Sequence, residues 1–199
     1  MKKRILYGVA NYAEMVRDNG YFVDKTEYIA KLEWVKNPVF LRPRRFGKSL
    51  LCSLLRHYYD LNEADNFAKL FGQTWIGQHP TGRQNQNIIL YLNFSTIATG
   101  PTVQEIDNSC RRQCNTNLSY LHAVYPALLA DMPTLEMDTP VADHLDILLT
   151  HLWQRRLPPL YVIIDEYDNF ANQLITENKD ELYRQLTADD GFFKTFFKP

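Results

Sequence analysis

The spacing of apolar residues alternates along the chain between helix-like and strand-like patterns. Leucines within residues 50–55 recur at the three- and four-residue spacing of an amphipathic helix, and leucines within 145–152 do the same. Further helices are predicted at 11–17, 26–34, 102–132 and 178–199. Short, near-continuous apolar runs predict buried strands at 38–41, 87–94 and 160–164. Because strands and helices alternate, we predict an α/β fold, with a mainly parallel sheet covered by helices.

The composition is that of an ordinary globular chain. Its 199 residues are 45% hydrophobic and 23% charged, with a formal net charge of −1. These values exclude wholesale disorder and fibrous repeats, and they argue against a generally basic nucleic-acid binder. No apolar run is long enough to span a bilayer or to form a signal peptide. The three cysteines form no zinc-like cluster with the five histidines, so we expect a cytoplasmic protein with reduced thiols.

The strongest local motif joins the first predicted strand to the helix that follows it, with the sequence Leu-Arg-Pro-Arg-Arg-Phe-Gly-Lys-Ser-Leu over residues 41–50. A glycine-rich turn at a helix N-terminus points backbone N–H groups at one spot, where a phosphate binds. In such a loop Gly47 permits close approach, Lys48 contacts the β- and γ-phosphates, and the Ser49 hydroxyl ligates Mg²⁺. Position 42 is arginine where the usual pattern has glycine, so Gly-Lys-Ser alone could equally be a helix start with a solvated lysine.

A second motif favours the phosphate-binding interpretation. The strand at 160–164 ends in Asp165 and Glu166, and ligands of parallel sheets gather where strands end. We expect Asp165 to hold Mg²⁺ through its water shell and Glu166 to activate the attacking water. The alternative is an exposed acidic turn after a core strand. Three arginines beside Lys48 also favour an anionic ligand over a solvated basic face; they are Arg42, Arg44 and Arg45.

Three motifs together resemble the AAA-ATPase-like family of predicted bacterial ATPases. They are Val-Asp-Lys-Thr at 23–26, Arg-Pro-Arg-Arg-Phe-Gly-Lys-Ser at 42–49 and Ile-Asp-Glu-Tyr-Asp at 164–168. The resemblance implies a three-layer α/β/α P-loop fold, ATP binding and Mg²⁺-dependent hydrolysis. By position, it implies that Asp165 and Ser49 hold the metal, that Lys48 and Glu166 are catalytic, and that residues 44–50 bind the nucleotide: Arg44, Arg45, Phe46, Gly47, Lys48, Ser49 and Leu50.

The resemblance also shapes the expected domain organisation. Residues 1–34 are predicted to be a family-specific extension packed on a P-loop domain at 35–199, whose later strands and sensor residue would lie beyond residue 199. Asp24 is expected to be a helix N-cap that forms a structural salt bridge with Lys25, with a role over the nucleotide base as the alternative. The family often carries a C-terminal nuclease-like domain of the PD-(D/E)XK type, so a fused domain or self-association are the partners that the resemblance implies.

The function inferred from the sequence is an ATPase module whose hydrolysis drives or gates a conformational change. A nucleotide-gated interaction module that hydrolyses little ATP and recruits a partner or a nuclease is the main alternative. A small-molecule kinase is a third hypothesis, which the Asp-Glu pair disfavours. Nucleic acid could contact the arginine cluster, but nothing in the sequence indicates it. No membrane contact is expected, and no motif that selects guanine is present.

Overall fold

A computed structural model describes residues 2–43, 45–133 and 136–187. The first five helices lie before the first strand: α1 Tyr12–Arg17, α2 Glu27–Leu32, α3 Lys48–Tyr59, α4 Phe67–Phe71 and α5 Trp75–Gln78. The remainder of the described chain contains β1 Ile88–Asn93, α6 Val103–Val124, α7 Pro126–Leu129, α8 Val141–Gln154, β2 Leu160–Asp165, α9 Asn169–Thr176 and α10 Asp180–Thr187. The α/β prediction is therefore confirmed.

The sheet formed by the described residues has two strands, β1 and β2, which run side by side. Both match predicted apolar runs, and their parallel direction brings their carboxyl ends to one edge of the sheet. The residues at those ends are Asn93 and Asp165. The three-layer arrangement stays a prediction.

The predicted strand at 38–41 is wrong. The segment forms no strand in the described structure, and Val39 and Leu41 are 69% and 73% exposed. Asn37, just before it, has a left-handed backbone with φ 50°. The flanking Pro38 and Pro43 have no N–H to donate to a neighbouring strand. The apolar run satisfies the strand pattern, but its side chains are exposed and it pairs with no strand of the described residues.

Contacts divide the chain into two units, each taken over its described residues. One comprises Met1–Ile89 and Pro158–Ile163, and the other comprises Leu90–Leu157 and Ile164–Pro199. The predicted domain boundary between residues 34 and 35 falls inside the first unit, and that domain division stays a prediction.

The first unit has an aromatic core. The Tyr12 ring of α1 stacks on Phe71 with centroids 5.2 Å apart, and Tyr58 of α3 meets Phe71 edge-on at 5.5 Å. All three rings are almost fully buried. The Tyr12 hydroxyl satisfies its polar end by donating to the Leu70 carbonyl at 2.8 Å. This core anchors α3, the helix that begins at Lys48.

The second unit is built around the long helix α6 and contains a buried polar pair. The Asn115 side-chain amide donates to the carbonyls of Met137 and Thr139, at 2.8 and 2.9 Å. Its oxygen therefore faces Nδ1 of His144 on α8, 2.8 Å away, so that Nδ1 carries the proton. Asn115 and His144 are fully buried, and Nε2 of His144 has no hydrogen-bond partner among the described residues.

Candidate functional site

The phosphate-loop motif ends in a left-handed glycine at the start of α3. Gly47 is the N-cap residue of this helix, with φ 77°, and Arg45 two residues earlier is also left-handed, with φ 67°. A Cβ added to Gly47 would meet nothing within 4 Å, so glycine is required here by backbone conformation and not by crowding. The Gly47 carbonyl accepts the first helical bond, from Leu51 N–H at 2.9 Å. The loop therefore turns sharply and delivers Lys48 as the first helical residue.

The start of α3 is electrostatically suited to an anion. No side chain of the described residues caps this end, and its first turn holds no acidic residue. The N–H groups of the first turn, together with the helix dipole, make such a terminus attractive to phosphate. Lys48, Ser49 and Leu50 are half-buried, whereas Arg45 and Phe46 on the loop are exposed. The predicted binding residues at 45–50 thus share one helix start and the loop that leads into it.

The arginines of the loop differ in their surroundings. The Arg42 guanidinium lies over the Phe40 ring, 5.4 Å from its centroid, which gives this cation a partner other than phosphate. Arg45 makes no ion pair with the described residues. Arg44, predicted to bind the nucleotide, lies outside the described residues.

The acidic motif stands at the carboxyl edge of the sheet, in the second unit. Asp165 ends β2 and is only 3% exposed. Its Oδ2 accepts the Tyr91 hydroxyl of β1 at 2.9 Å, and its Oδ1 accepts the Glu166 N–H at 3.0 Å. The buried carboxylate is thus stabilised by a hydrogen bond to each oxygen, and it retains further lone pairs for a metal-bound water.

Glu166 has an unusual backbone. Its φ is 54°, in the left-handed region that a residue with a Cβ rarely adopts, and its side chain is half-buried. The Asn169 N–H donates to its carbonyl at 3.0 Å, which closes the turn leading into α9. Side chains held in this conformation are concentrated at functional sites, because the strain persists only where the surrounding structure enforces it.

Tyr91 is the residue that sequence reasoning missed. It lies in the second half of β1 and donates to the Asp165 carboxylate from the neighbouring strand. The available signal was a tyrosine in an otherwise aliphatic strand, since a buried tyrosine hydroxyl needs a hydrogen-bond partner. The partner itself could not be chosen without knowing how β1 and β2 are aligned.

The Val-Asp-Lys-Thr element at 23–26 makes hydrogen bonds different from those that the sequence predicts. Thr26, not Asp24, is the N-cap residue of α2, so that part of the prediction is wrong. Asp24 instead accepts the N–H groups of Thr26 and Trp75, at 2.8 and 2.7 Å, while the Thr26 hydroxyl accepts the Ile76 N–H at 3.0 Å.

These bonds satisfy the start of a different helix. With the Thr74 hydroxyl on Gly77 N–H, three side chains cap the first three N–H groups of α5. Burial raises the pKa of Asp24, but the hydrogen bonds from Thr26 and Trp75 outweigh it and hold this pKa below its ordinary value. Lys25 is exposed and forms no salt bridge with the described residues.

The two predicted metal ligands are of the chemical kind that Mg²⁺ uses when a nucleotide supplies most of its ligands. No group of three or more His, Cys, Asp or Glu side chains suited to a metal occurs in the described part of the chain. Mg²⁺ commonly keeps several waters and takes only one or two protein oxygens beside substrate phosphates. A serine hydroxyl and a carboxylate are oxygen ligands of that kind, and the assignment of one metal to Ser49 and Asp165 stays a prediction.

Comparison with known proteins assigns the chain to a family. The family model AAA-ATPase-like, described as "Predicted AAA-ATPase", matches residues 6–199. No curated protein and no solved structure matches the chain. None of the described helices has both the length and the apolar character needed to cross a bilayer.

Proposed function

Since the chain belongs to the AAA-ATPase-like family, we propose that it binds Mg·ATP and hydrolyses it to drive or gate a conformational change. Family membership makes the chain an ATPase-like module, and nucleotide binding follows from it. The finer steps, which are hydrolysis, its mechanical use and the residues responsible, are our proposal.

The phosphate contacts are assigned to the start of α3. In this proposal the N–H groups of the first turn and the Lys48 ammonium hold the β- and γ-phosphates, while the Ser49 hydroxyl ligates Mg²⁺. The flanking residues Arg44, Arg45, Phe46 and Leu50 complete the cradle. The observation that carries the proposal is the left-handed Gly47 at the start of a twelve-residue helix that no described side chain caps. Such a helix start binds anions through its own backbone.

The hydrolytic chemistry is assigned to the end of β2. Asp165 would orient a water ligand of Mg²⁺, and Glu166 would accept a proton from the water that attacks the γ-phosphate. When bound, the metal neutralises charge that develops on the phosphate oxygens. That both motifs serve one nucleotide is a prediction from the sequence. The three-layer arrangement, the domain division and the cytoplasmic location are likewise predictions from the sequence.

Nucleotide binding by Lys48→Ala tests the site assignment. We expect Mg·ATP affinity to fall at least tenfold, because a charge-assisted contact to phosphate is worth about 1.5–3 kcal/mol. Lys69→Ala is the matched control, since Lys69 is an exposed lysine on α4. Equal affinity in wild type and Lys48→Ala, measured by calorimetric titration, would refute the assignment.

Turnover by Glu166→Gln separates the two mechanisms that the sequence leaves open. An ATPase should lose most of its turnover but keep its Mg·ATP affinity, because glutamine cannot accept the proton. If the chain is a nucleotide-gated interaction module, low turnover in wild type and variant alike is expected, along with partner binding that depends on nucleotide. Self-association of the chain, or a fused C-terminal nuclease-like domain, belongs to that second mechanism.

A further inference from the structure

Tyr91 connects the two strands through the carboxylate on which the proposed metal site depends. Its hydroxyl donates to Asp165 Oδ2 at 2.9 Å, and the opposite oxygen, Oδ1, accepts the Glu166 N–H at 3.0 Å. The three residues therefore form a chain of hydrogen bonds from β1, through Asp165, to the left-handed residue that follows β2. All three lie in the second unit.

These bonds restrict how the Asp165 carboxylate can rotate. A carboxylate that holds a metal-bound water must present a particular lone pair, and a hydrogen bond from a neighbouring residue fixes that presentation. Tyr91 is well suited to this task, because its rigid ring is half-buried in a strand of the sheet. While Oδ2 accepts the Tyr91 hydroxyl, Oδ1 accepts the Glu166 N–H. This second hydrogen bond stabilises the strained turn that carries the proposed base.

We propose that Tyr91 is a positioning residue: it orients Asp165 for the Mg²⁺ water shell and, through Asp165, supports the turn that presents Glu166. This inference rests on the proposed function, because it assigns a role at the same site. A purely structural role would require only that Tyr91 and Asp165 satisfy each other inside the fold. The two roles differ in whether the metal contribution to nucleotide binding changes when the hydroxyl is removed.

The test is the metal dependence of nucleotide affinity in Tyr91→Phe, which removes one oxygen atom. Affinity for a non-hydrolysable ATP analogue is measured with Mg²⁺ and with EDTA, and the ratio of the two values gives the metal enhancement. We expect the enhancement to fall about tenfold, at the lower end of the losses seen when a group that orients a metal ligand is removed. Affinity in EDTA should stay unchanged, because Tyr91 contacts no phosphate in this proposal.

Tyr120→Phe is the matched control, since Tyr120 is 64% exposed on α6 of the same unit. The ratio is used because a loss of folded protein lowers both apparent affinities by the same factor, which leaves their ratio unchanged. An unchanged enhancement in Tyr91→Phe, or equal losses with and without Mg²⁺, would overturn the positioning role. Either result would leave the proposed function intact as long as wild type binds Mg·ATP through Lys48. If wild type does not bind the analogue, the proposed function and this inference both fail.

Discussion

Gly47 and Glu166 both have a left-handed backbone, but this conformation costs a glutamate more free energy than a glycine. Their φ angles are 77° and 54°, one at the start of α3 and the other directly after β2. Glycine adopts this conformation without cost, whereas a residue with a Cβ loses about 1 kcal/mol there. Glycine is therefore the residue best suited to the backbone at 47, although Arg45 in the same loop is also left-handed, with φ 67°. The acidic turn has a glutamate at such a position, as the described chain has arginines at 45 and 156, so the backbone strain is not unique to the proposed base.

The two regions also differ in how they are supported. No described side chain caps the start of α3, and the loop before it is exposed, so the backbone N–H groups there are open to the proposed phosphate contacts beside Lys48 and Ser49. Asp165 is buried and has a hydrogen bond to each carboxylate oxygen. We infer that the loop depends on backbone shape, whereas the acidic edge depends on a side-chain network. Substitutions in the two regions should therefore have different consequences.

Removing the Asp165 carboxylate should have the largest effect on folding stability. Asp165→Ala leaves the Tyr91 hydroxyl and the Glu166 N–H without their acceptor, which should lower the free energy of unfolding by about 1–3 kcal/mol. Lys48→Ala should leave it nearly unchanged, because Lys48 forms no ion pair with the described residues. Urea unfolding followed by circular dichroism measures both. Asp146→Ala, on the exposed side of α8, is the control, and equal stability in all three variants would contradict the supporting network.

Adding a methyl group to Gly47 tests the dependence of the loop on backbone shape. Gly47→Ala should lower the free energy of unfolding by about 1 kcal/mol, because alanine is strained at φ 77° although its Cβ meets no atom. Mg·ATP affinity should fall severalfold as the loop relaxes. Gly82 has φ 83° and equally open surroundings in the same unit, so Gly82→Ala carries the same strain away from the loop. Nucleotide binding that weakens equally in both variants would argue against a special role for the loop.

Removing the side chain at 166 is the reverse experiment. Glu166→Gly should be more stable than Glu166→Ala by about 0.5–1 kcal/mol, since only glycine relieves the left-handed strain. Both variants should lose ATP turnover, because neither retains a carboxylate. Thermal unfolding and phosphate release measure the two properties on the same samples. A glycine variant less stable than the alanine variant would mean that the turn at 166 is not strained in solution.

Sequence reasoning found the motifs whose chemistry is local. The helix start at Lys48 and the strand end at Asp165 follow from apolar spacing with a glycine or an acid beside it, and both elements are present. The segment at 38–41 satisfies the same apolar pattern, yet it is exposed and pairs with no strand of the described residues. An apolar pattern does not show whether the backbone N–H and C=O groups of a segment can pair with a neighbouring strand.

The interactions that were missed are those between distant positions. The bond from Tyr91 to Asp165 joins residues 74 positions apart, and the bond from Trp75 to Asp24 joins residues 51 positions apart. Each depends on strand alignment or helix placement, which the local sequence does not contain. For this reason Asp24 was predicted to cap its own helix, while it in fact caps α5.

The smallest expected effect is a difference between the two units in how their stability depends on pH. Nε2 of His144 is buried without a hydrogen-bond partner among the described residues. Burial lowers the pKa of His144 below its usual 6.5, against the opposing influence of the Glu136 backbone and the Asp143 charge. A histidine whose pKa is lower in the folded state contributes stability above pH 6.5, and this contribution is lost as the pH falls towards the folded value. The contribution of Asp24 in the first unit, whose pKa is lowered from 3.8, is lost only below that pH.

The free energy of unfolding of the second unit should therefore fall as the pH is lowered from 7 to 5. In His144→Gln the urea midpoint should change less over this range, because glutamine can still donate to Asn115 Oδ1 but does not titrate. Gln154→Ala, at an exposed residue of the same helix that does not titrate, should keep the pH dependence of wild type. A pH dependence that survives in His144→Gln would assign the acid sensitivity to other groups. It would also remove the expected contrast between a second unit that responds below pH 6.5 and an Asp24 cap that responds only below pH 3.8.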